Sequence, residues 1–307
     1  NSYAQIVRTF KIEKAYLNIP IQSSADLQRI KFLPDSKMIT YNDIRLADGK
    51  VDYWTFFDVS KYKGKEFTLE FTEKVNGMDM IYQSEKFVGK DVLYKEELRP
   101  QVHFSTRRGW TNDPNGMVYF DGEYHLFYQH NPYEINWGNM HWGHAVSEDL
   151  LHWEELPVAL LPDELGTMFS GSAVIDFDNT AGFNRGNTPA MVAIYTADLR
   201  KGGKQLGQHQ CIAYSLDKGR SFTKYDGNPV IPMQKKYGSS HERDPKVFWY
   251  EPGKHWVLVL HEALNYSIYN SKNLKDWEYK SSVGAGFWEC PELFELAVDD
   301  NPNNKKW

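Results

Sequence analysis

A seven-residue pattern recurs along this chain: Ser147-Glu148-Asp149-Leu150-Leu151-His152-Trp153 returns as Ser271-Lys272-Asn273-Leu274-Lys275-Asp276-Trp277. A looser copy stands at Ser215-Leu216-Asp217-Lys218-Gly219-Arg220-Ser221-Phe222. Each copy follows an alternating run, such as His141 to Val146 or Gln210 to Tyr214, and upstream of each lies a further apolar run. Those upstream runs are Tyr124 to Tyr128, Met191 to Thr196 and Trp256 to Leu260. The implied unit is a four-stranded antiparallel sheet of roughly 55–70 residues, occurring at least three times, which points to propeller blades. An α/β fold does not have this period.

Three acidic signatures coincide with strand-like runs: Trp110-Thr111-Asn112-Asp113-Pro114-Asn115-Gly116, Arg243-Asp244-Pro245 and Glu289-Cys290-Pro291. Proline fixes φ and removes a donor, so each carboxylate is expected at a rigid strand entrance. Asp113, Asp244 and Glu289 would each begin the first strand of a blade, as would Phe169-Ser170-Gly171. In a propeller the first strand is innermost, so these residues would converge at one end of the central channel. Three carboxylates on rigid strand ends suit a glycoside hydrolase, which needs a nucleophile, an acid/base and a group for the substrate.

Composition narrows the partners. Aromatics form 15% of the chain, with 10 Trp and 19 Tyr, which fits either a β-rich core or stacking on sugar rings. The net charge of -6 without a basic patch argues against nucleic acid. The longest apolar runs, about six to eight residues, are far short of a membrane span. The two cysteines, Cys211 and Cys290, exclude a disulfide framework, and no C-x-x-C or H-E-x-x-H pattern supports a metal site.

Residues 1–95 lack the repeat. Tyr16 to Ile21, Arg29 to Phe32, Tyr53 to Val59 and Phe67 to Phe71 read as strands between polar turns, which predicts a small accessory β-sandwich. Lys86 to Arg99 would connect it to a propeller over residues 96–307. The repeat supplies three units and the first strand of a fourth, Glu292 to Ala297, so a closed propeller would need further residues. Asn1-Ser2 begins the chain without an apolar targeting segment, which suggests a form from which a signal has been removed.

These motifs, in this order, resemble glycoside hydrolase family 32, the invertase, inulinase and levanase family, over about residues 100–297. The likeness also rests on Tyr128-Gln129-His130-Asn131-Pro132, Trp137-Gly138-Asn139-Met140-His141-Trp142-Gly143-His144 and Phe169-Ser170-Gly171-Ser172-Ala173. One departure is Thr111, where the family usually carries Met. The resemblance implies an all-β fold, a five-bladed propeller usually followed by a β-sandwich. It further implies a retaining hydrolase of β-fructofuranosidic bonds in levan, inulin or sucrose. Asp113 would be the nucleophile and Glu289 the general acid/base, with its pKa raised by a desolvated pocket beside Asp113. Asp244 would stabilise the transition state beside Arg243. Asn112, Gln129, Trp137, Phe169 and Ser170 map onto fructose-binding positions, and no metal or organic cofactor is implied.

Blander readings stand beside these. Asn-Asp-Pro-Asn-Gly alone is a turn signature, and Arg-Asp-Pro alone is a structural ion pair. Cys290 reads as a buried small hydrophobe. Trp142 fits packing between blades as well as the site, and Trp153 and Trp277 read as parts of the repeated hairpin. His144 and His152 read as interior or turn histidines, and the sequon Asn265-Tyr266-Ser267 as incidental. A non-catalytic fructan-binding scaffold and an inverting arabinan or xylan hydrolase are the competing functions. A polymeric fructan as substrate places the enzyme in the periplasm or outside the cell, whereas sucrose phosphate would place it in the cytoplasm.

Overall fold

The computed structural model describes residues 6–201, 204–284, 286 and 289–307. Its chain divides into two compact units. The first holds Asn1–Asn112, His130–His141 and Leu161–Glu164, and the second Asp113–Gln129, Trp142–Leu160 and Leu165–Trp307. Among the described residues no helix is long and apolar enough to cross a membrane.

The first unit contains strands β1 (Ile6–Lys11), β2 (Tyr16–Ile21), β3 (Gln28–Pro34), β4 (Thr40–Ile44), β5 (Tyr53–Asp58), β6 (Glu66–Phe71) and β7 (Tyr82–Ser84). They form two antiparallel sheets, β1-β6-β3-β4 and β5-β2-β7. Alternation decides which residues face inward. Along β3 every second residue is buried, and Ile30 and Phe32 join Leu17, Ile19, Phe57, Phe67 and Leu69 in one core between the sheets. The expected β-sandwich is therefore present. Tyr133 completes this core, and the neighbouring Glu134, itself buried, pairs with Arg45 at 2.7 Å.

Three four-stranded antiparallel sheets follow. The first contains β8 (Trp110–Phe120), β9 (Glu123–Asn131), β10 (His141–Ser147) and β11 (Glu154–Leu160). The second contains β12 (Thr167–Asp176), β13 (Ala190–Lys201), β14 (Lys204–Ser215) and β15 (Thr223–Lys224). The third contains β16 (Glu242–Tyr250), β17 (His255–Glu262), β18 (Asn265–Ser271) and β19 (Glu278–Gly284). Each runs in sequence order with its first strand at one edge, as propeller blades do.

Strand β13 explains how the blades stack. It is buried on both faces over nine consecutive residues, hence its continuous apolar run. Met191, Ala193, Tyr195 and Ala197 join a core with Phe127 and Trp142 of the first blade. Val192 and Ile194 join another with Val247, Leu258 and Leu260 of the third. Trp142 is fully buried there, and its indole donates to the Phe169 carbonyl at 2.9 Å, so it packs between blades.

The repeated heptads are the turns between the third and fourth strands. Ser147, Ser215 and Ser271 hydroxyls accept backbone N–H groups of the turn, and Asp149, Asp217 and Asn273 cap its next residues. Leu150 and Leu274 take left-handed φ values of 66° and 62°, and the Trp153 and Trp277 indoles close back onto their carbonyls. The interior histidine expected at 144 is buried against His125 at 3.0 Å, while His152 is exposed and pairs with Asp149.

The strand expected over Glu292 to Ala297 is not formed as one: residues 291–295 are irregular, and among the described residues β20 (Leu296–Val298) pairs with β21 (Asn301–Lys306). Glu289 and Cys290 both hold positive φ, 41° and 46°, and Pro291 follows, so the backbone cannot be extended there.

Candidate active site

Asp113 lies on β8 of the first blade, Ser170 on β12 of the second, and Arg243 and Asp244 on β16 of the third. Glu289 and Cys290 lie in the segment after β19. Backbone irregularities aim several of these side chains. In β12 the register slips between Phe169 and Gly171, leaving Ser170 as the extra residue of a bulge. Gly171 has no alternative there, because a Cβ would collide with the Ile194 carbonyl. In β16 the register slips between Arg243 and Lys246, and Asp244 takes a φ of 63°. A left-handed Asp inside a strand is a strained arrangement that its surroundings must enforce.

The side chains meet around Cys290. Its Sγ lies 3.9 Å from Asp113 Oδ2 and 3.7 Å from Asp244 Oδ2, and its N–H donates to Asp244 Oδ2 at 3.2 Å. Ser170 donates to Asp113 Oδ2 at 2.8 Å. Arg243 donates to Glu289 Oε2 through Nη2 at 2.7 Å and Nε at 3.2 Å, and its Nε lies 3.5 Å from Asp244 Oδ2. His241 Nδ1 accepts from Arg243 Nη1 at 2.7 Å, which makes Nε2 the protonated nitrogen. Burial, then the Arg243 charge, holds His241 below its usual range and keeps it a neutral acceptor.

Burial pushes the Asp244 carboxyl up to about 6; Arg243 and the Cys290 N–H oppose the rise, and the Glu289 and Asp113 charges add to it. The Asp244 side chain is 7% exposed and that of Glu289 47%. Cys290 departs from expectation. The residue as a whole is exposed, not buried. Desolvation of its sulfur, reinforced by the charges of Asp244, Asp113 and Glu289, raises the thiol above its ordinary range, so it remains a weak S–H donor rather than a thiolate.

The structure therefore brings together Asp113, Ser170, Arg243, Asp244 and Glu289. Phe169 is half-buried beside Ser170, and Gln129 is buried on β9. Asn112 and Trp137 belong to the first unit, where Asn112 accepts the Trp110 indole N–H at 2.8 Å and Trp137 is half exposed. Cys290 and His241 were not assigned to the site from sequence. Cys290 had a signal, its place inside the Glu-Cys-Pro motif; His241 had only its position two residues before Arg243.

Residues 103–307 match the family model described as the glycosyl hydrolases family 32 N-terminal domain. Residues 2–101 match one described as a domain of unknown function, DUF4980. The levanase of Bacillus subtilis is 60% identical over 220 residues, covering 70% of this chain and 31% of that protein. The extracellular exo-inulinase of Aspergillus awamori is 46% identical over 238 residues, covering 70% and 44%. A crystal structure of exo-inulinase from Aspergillus awamori has a TM-score of 0.63 at 45% identity, covering 70% of this chain and 46% of that one. The chain thus spans less than half the length of these relatives. With residues 103–307 matched by the family model and relatives of this identity, the chain belongs to glycosyl hydrolase family 32.

Proposed function

We propose that this protein is a retaining β-fructosidase. The observation that supports the reading most directly is the meeting of Asp113, Asp244 and Glu289, from three separate parts of the chain, around Cys290 and Arg243. Asp113 attacks C2 of a fructosyl unit. The bond from C2 to the glycosidic oxygen breaks, and that oxygen takes a proton from the Glu289 carboxyl. Water then gives its proton to Glu289 and its oxygen to C2 as the bond from C2 to Asp113 breaks, which releases the fructosyl product and frees Asp113. The Ser170 hydroxyl holds the Oδ2 of the nucleophile, and Arg243 holds the Oε2 of Glu289, so both carboxyl groups are oriented before substrate arrives. Asp244, ionised, accepts from fructose hydroxyls as charge builds at C2. Gln129 and Phe169 belong to the fructose-binding surface in this reading. The chemistry is carried by side chains alone. Levan, inulin and sucrose are the candidate substrates, and a polymeric substrate together with the extracellular inulinase relative favours an exported enzyme.

The test is sugar release from sucrose, inulin and levan by the intact protein, beside Asp113→Ala and Glu289→Ala. We expect fructose or short fructans from the parent and a loss of about 10⁴-fold or more in each variant. The first-formed product should keep the anomeric configuration. Equal activity in parent and variants would remove the carboxylate assignment. Inversion of configuration would favour the arabinan or xylan type of mechanism, and fructan binding without turnover would make the protein a binding scaffold.

A further inference from the structure

Strand β16 is the edge of its sheet, and its register with β17 slips between Arg243 and Lys246, so the outward backbone groups of Glu242 and the Asp244 N–H take partners from outside the sheet. The middle strands of the second blade provide them. Gln208 Oε1 accepts the Glu242 N–H at 2.9 Å, and Gln210 Nε2 donates to the Glu242 carbonyl at 2.7 Å. Thr196 Oγ1 accepts the Asp244 N–H at 3.1 Å and donates to Gln210 Oε1 at 2.6 Å. Thr196 and Gln210 stand directly opposite each other on β13 and β14, and both are fully buried.

The direction of this relay follows from the groups themselves. The Glu242 carbonyl only accepts, so the Gln210 amide must turn its nitrogen there and its oxygen toward Thr196. The Thr196 hydroxyl then donates to Gln210 and keeps its lone pairs for the Asp244 N–H. A hydroxyl fills both roles from one atom, and a methyl group in the same place fills neither.

We propose that Thr196 and Gln210 are positioning residues that hold Asp244 in its left-handed backbone and so aim its carboxylate at the site; their importance for turnover rests on the β-fructosidase reading. Without the Thr196 hydroxyl the Asp244 N–H is buried and unpaired. The strained φ then loses its restraint, and Oδ2 moves away from the Cys290 N–H and from Arg243.

The test compares Thr196→Val and Thr196→Ser in the intact protein. Amide hydrogen exchange across residues 242–247 reads the backbone directly and does not depend on activity. We expect Thr196→Val to accelerate exchange in this segment by about tenfold or more, and Thr196→Ser to keep the parental rate. On whichever fructan the parent cleaves, Thr196→Val should lower kcat/KM by about 5- to 150-fold. Thr196→Ser should restore it, and Thr196→Val should cost nothing further in an Asp244→Asn background. Should Thr196→Val fail to fold, Gln210→Met removes the amide while leaving the Thr196 hydroxyl, and it should give the same pattern with smaller changes. Parental exchange in Thr196→Val overturns the proposal, as does an equal loss of activity in both backgrounds. Accelerated exchange in a protein whose parent cleaves no fructan would uphold the positioning role while removing the β-fructosidase reading.

Discussion

Asp244 combines a buried carboxylate with a left-handed backbone, and both are unfavourable to the fold. Its pKa is raised from 3.8 to about 6, so between those values the folded protein holds a proton that the unfolded chain releases. Stability from this group is therefore present at low pH and lost as pH rises toward 6. At pH 7 the ionised carboxylate costs about 1–3 kcal/mol. Asp244→Asn keeps the shape and removes the charge. We expect it to raise Tm at pH 7 by roughly 2–10 °C over the parent, with the gain shrinking toward pH 4, while hydrolysis falls. Thermal melts of both proteins across this range check the sign, and a lower Tm for Asp244→Asn at pH 7 would contradict the account. The three carboxylates were legible as residues because each sits in a motif with proline, but their environments were not. The 7% exposure of the Asp244 side chain, beside 47% for Glu289 against Arg243, has no signal in those motifs.

At the scale of elements, the innermost strands of the second and third blades are stapled by Ser172. Its Oγ donates to the Pro245 carbonyl at 3.0 Å and accepts the Val247 N–H at 2.9 Å, serving the far side of the bulge that carries Asp244. Ser172→Ala leaves two buried backbone groups without this partner, and should cost about 1–3 kcal/mol in denaturant unfolding. An unchanged midpoint would show that the strands can close the gap themselves. Blade strands were readable from sequence: the alternation from His141, the apolar run from Met191 and the heptad turns all report on neighbours a few residues away. The bulges at Ser170 and Asp244 were not readable, since a slip in register depends on the partner strand.

For the whole molecule, acid is the expected weakness. Burial lowers His125, His130 and His261 to about 4, and burial, with His125 adding to the effect, holds His144 well below its ordinary range. These groups fold neutral and must charge on unfolding, so stability is present above pH 6.5 and is lost as pH falls from there toward 4. The buried pair His125 and His144 faces Glu123, Arg220 and Lys218, and one added proton there has a carboxylate and two cations as neighbours. A Tm series from pH 7.5 to 4.5 should fall below about pH 6.5, and a His125→Gln, His144→Gln double variant should fall less steeply. A flat series in the parent would contradict the burial argument. By itself the sequence determined the all-β class, the blade period, the turns and the family, because alternation, capping and proline geometry act within a few residues. Only the tertiary structure decided which carboxylate is desolvated, where the strands bulge, and that Thr196 and Gln210 stand behind Asp244. Those facts arise from contacts between residues 46, 48, 57 and 177 positions apart, which exist only after the blades have stacked.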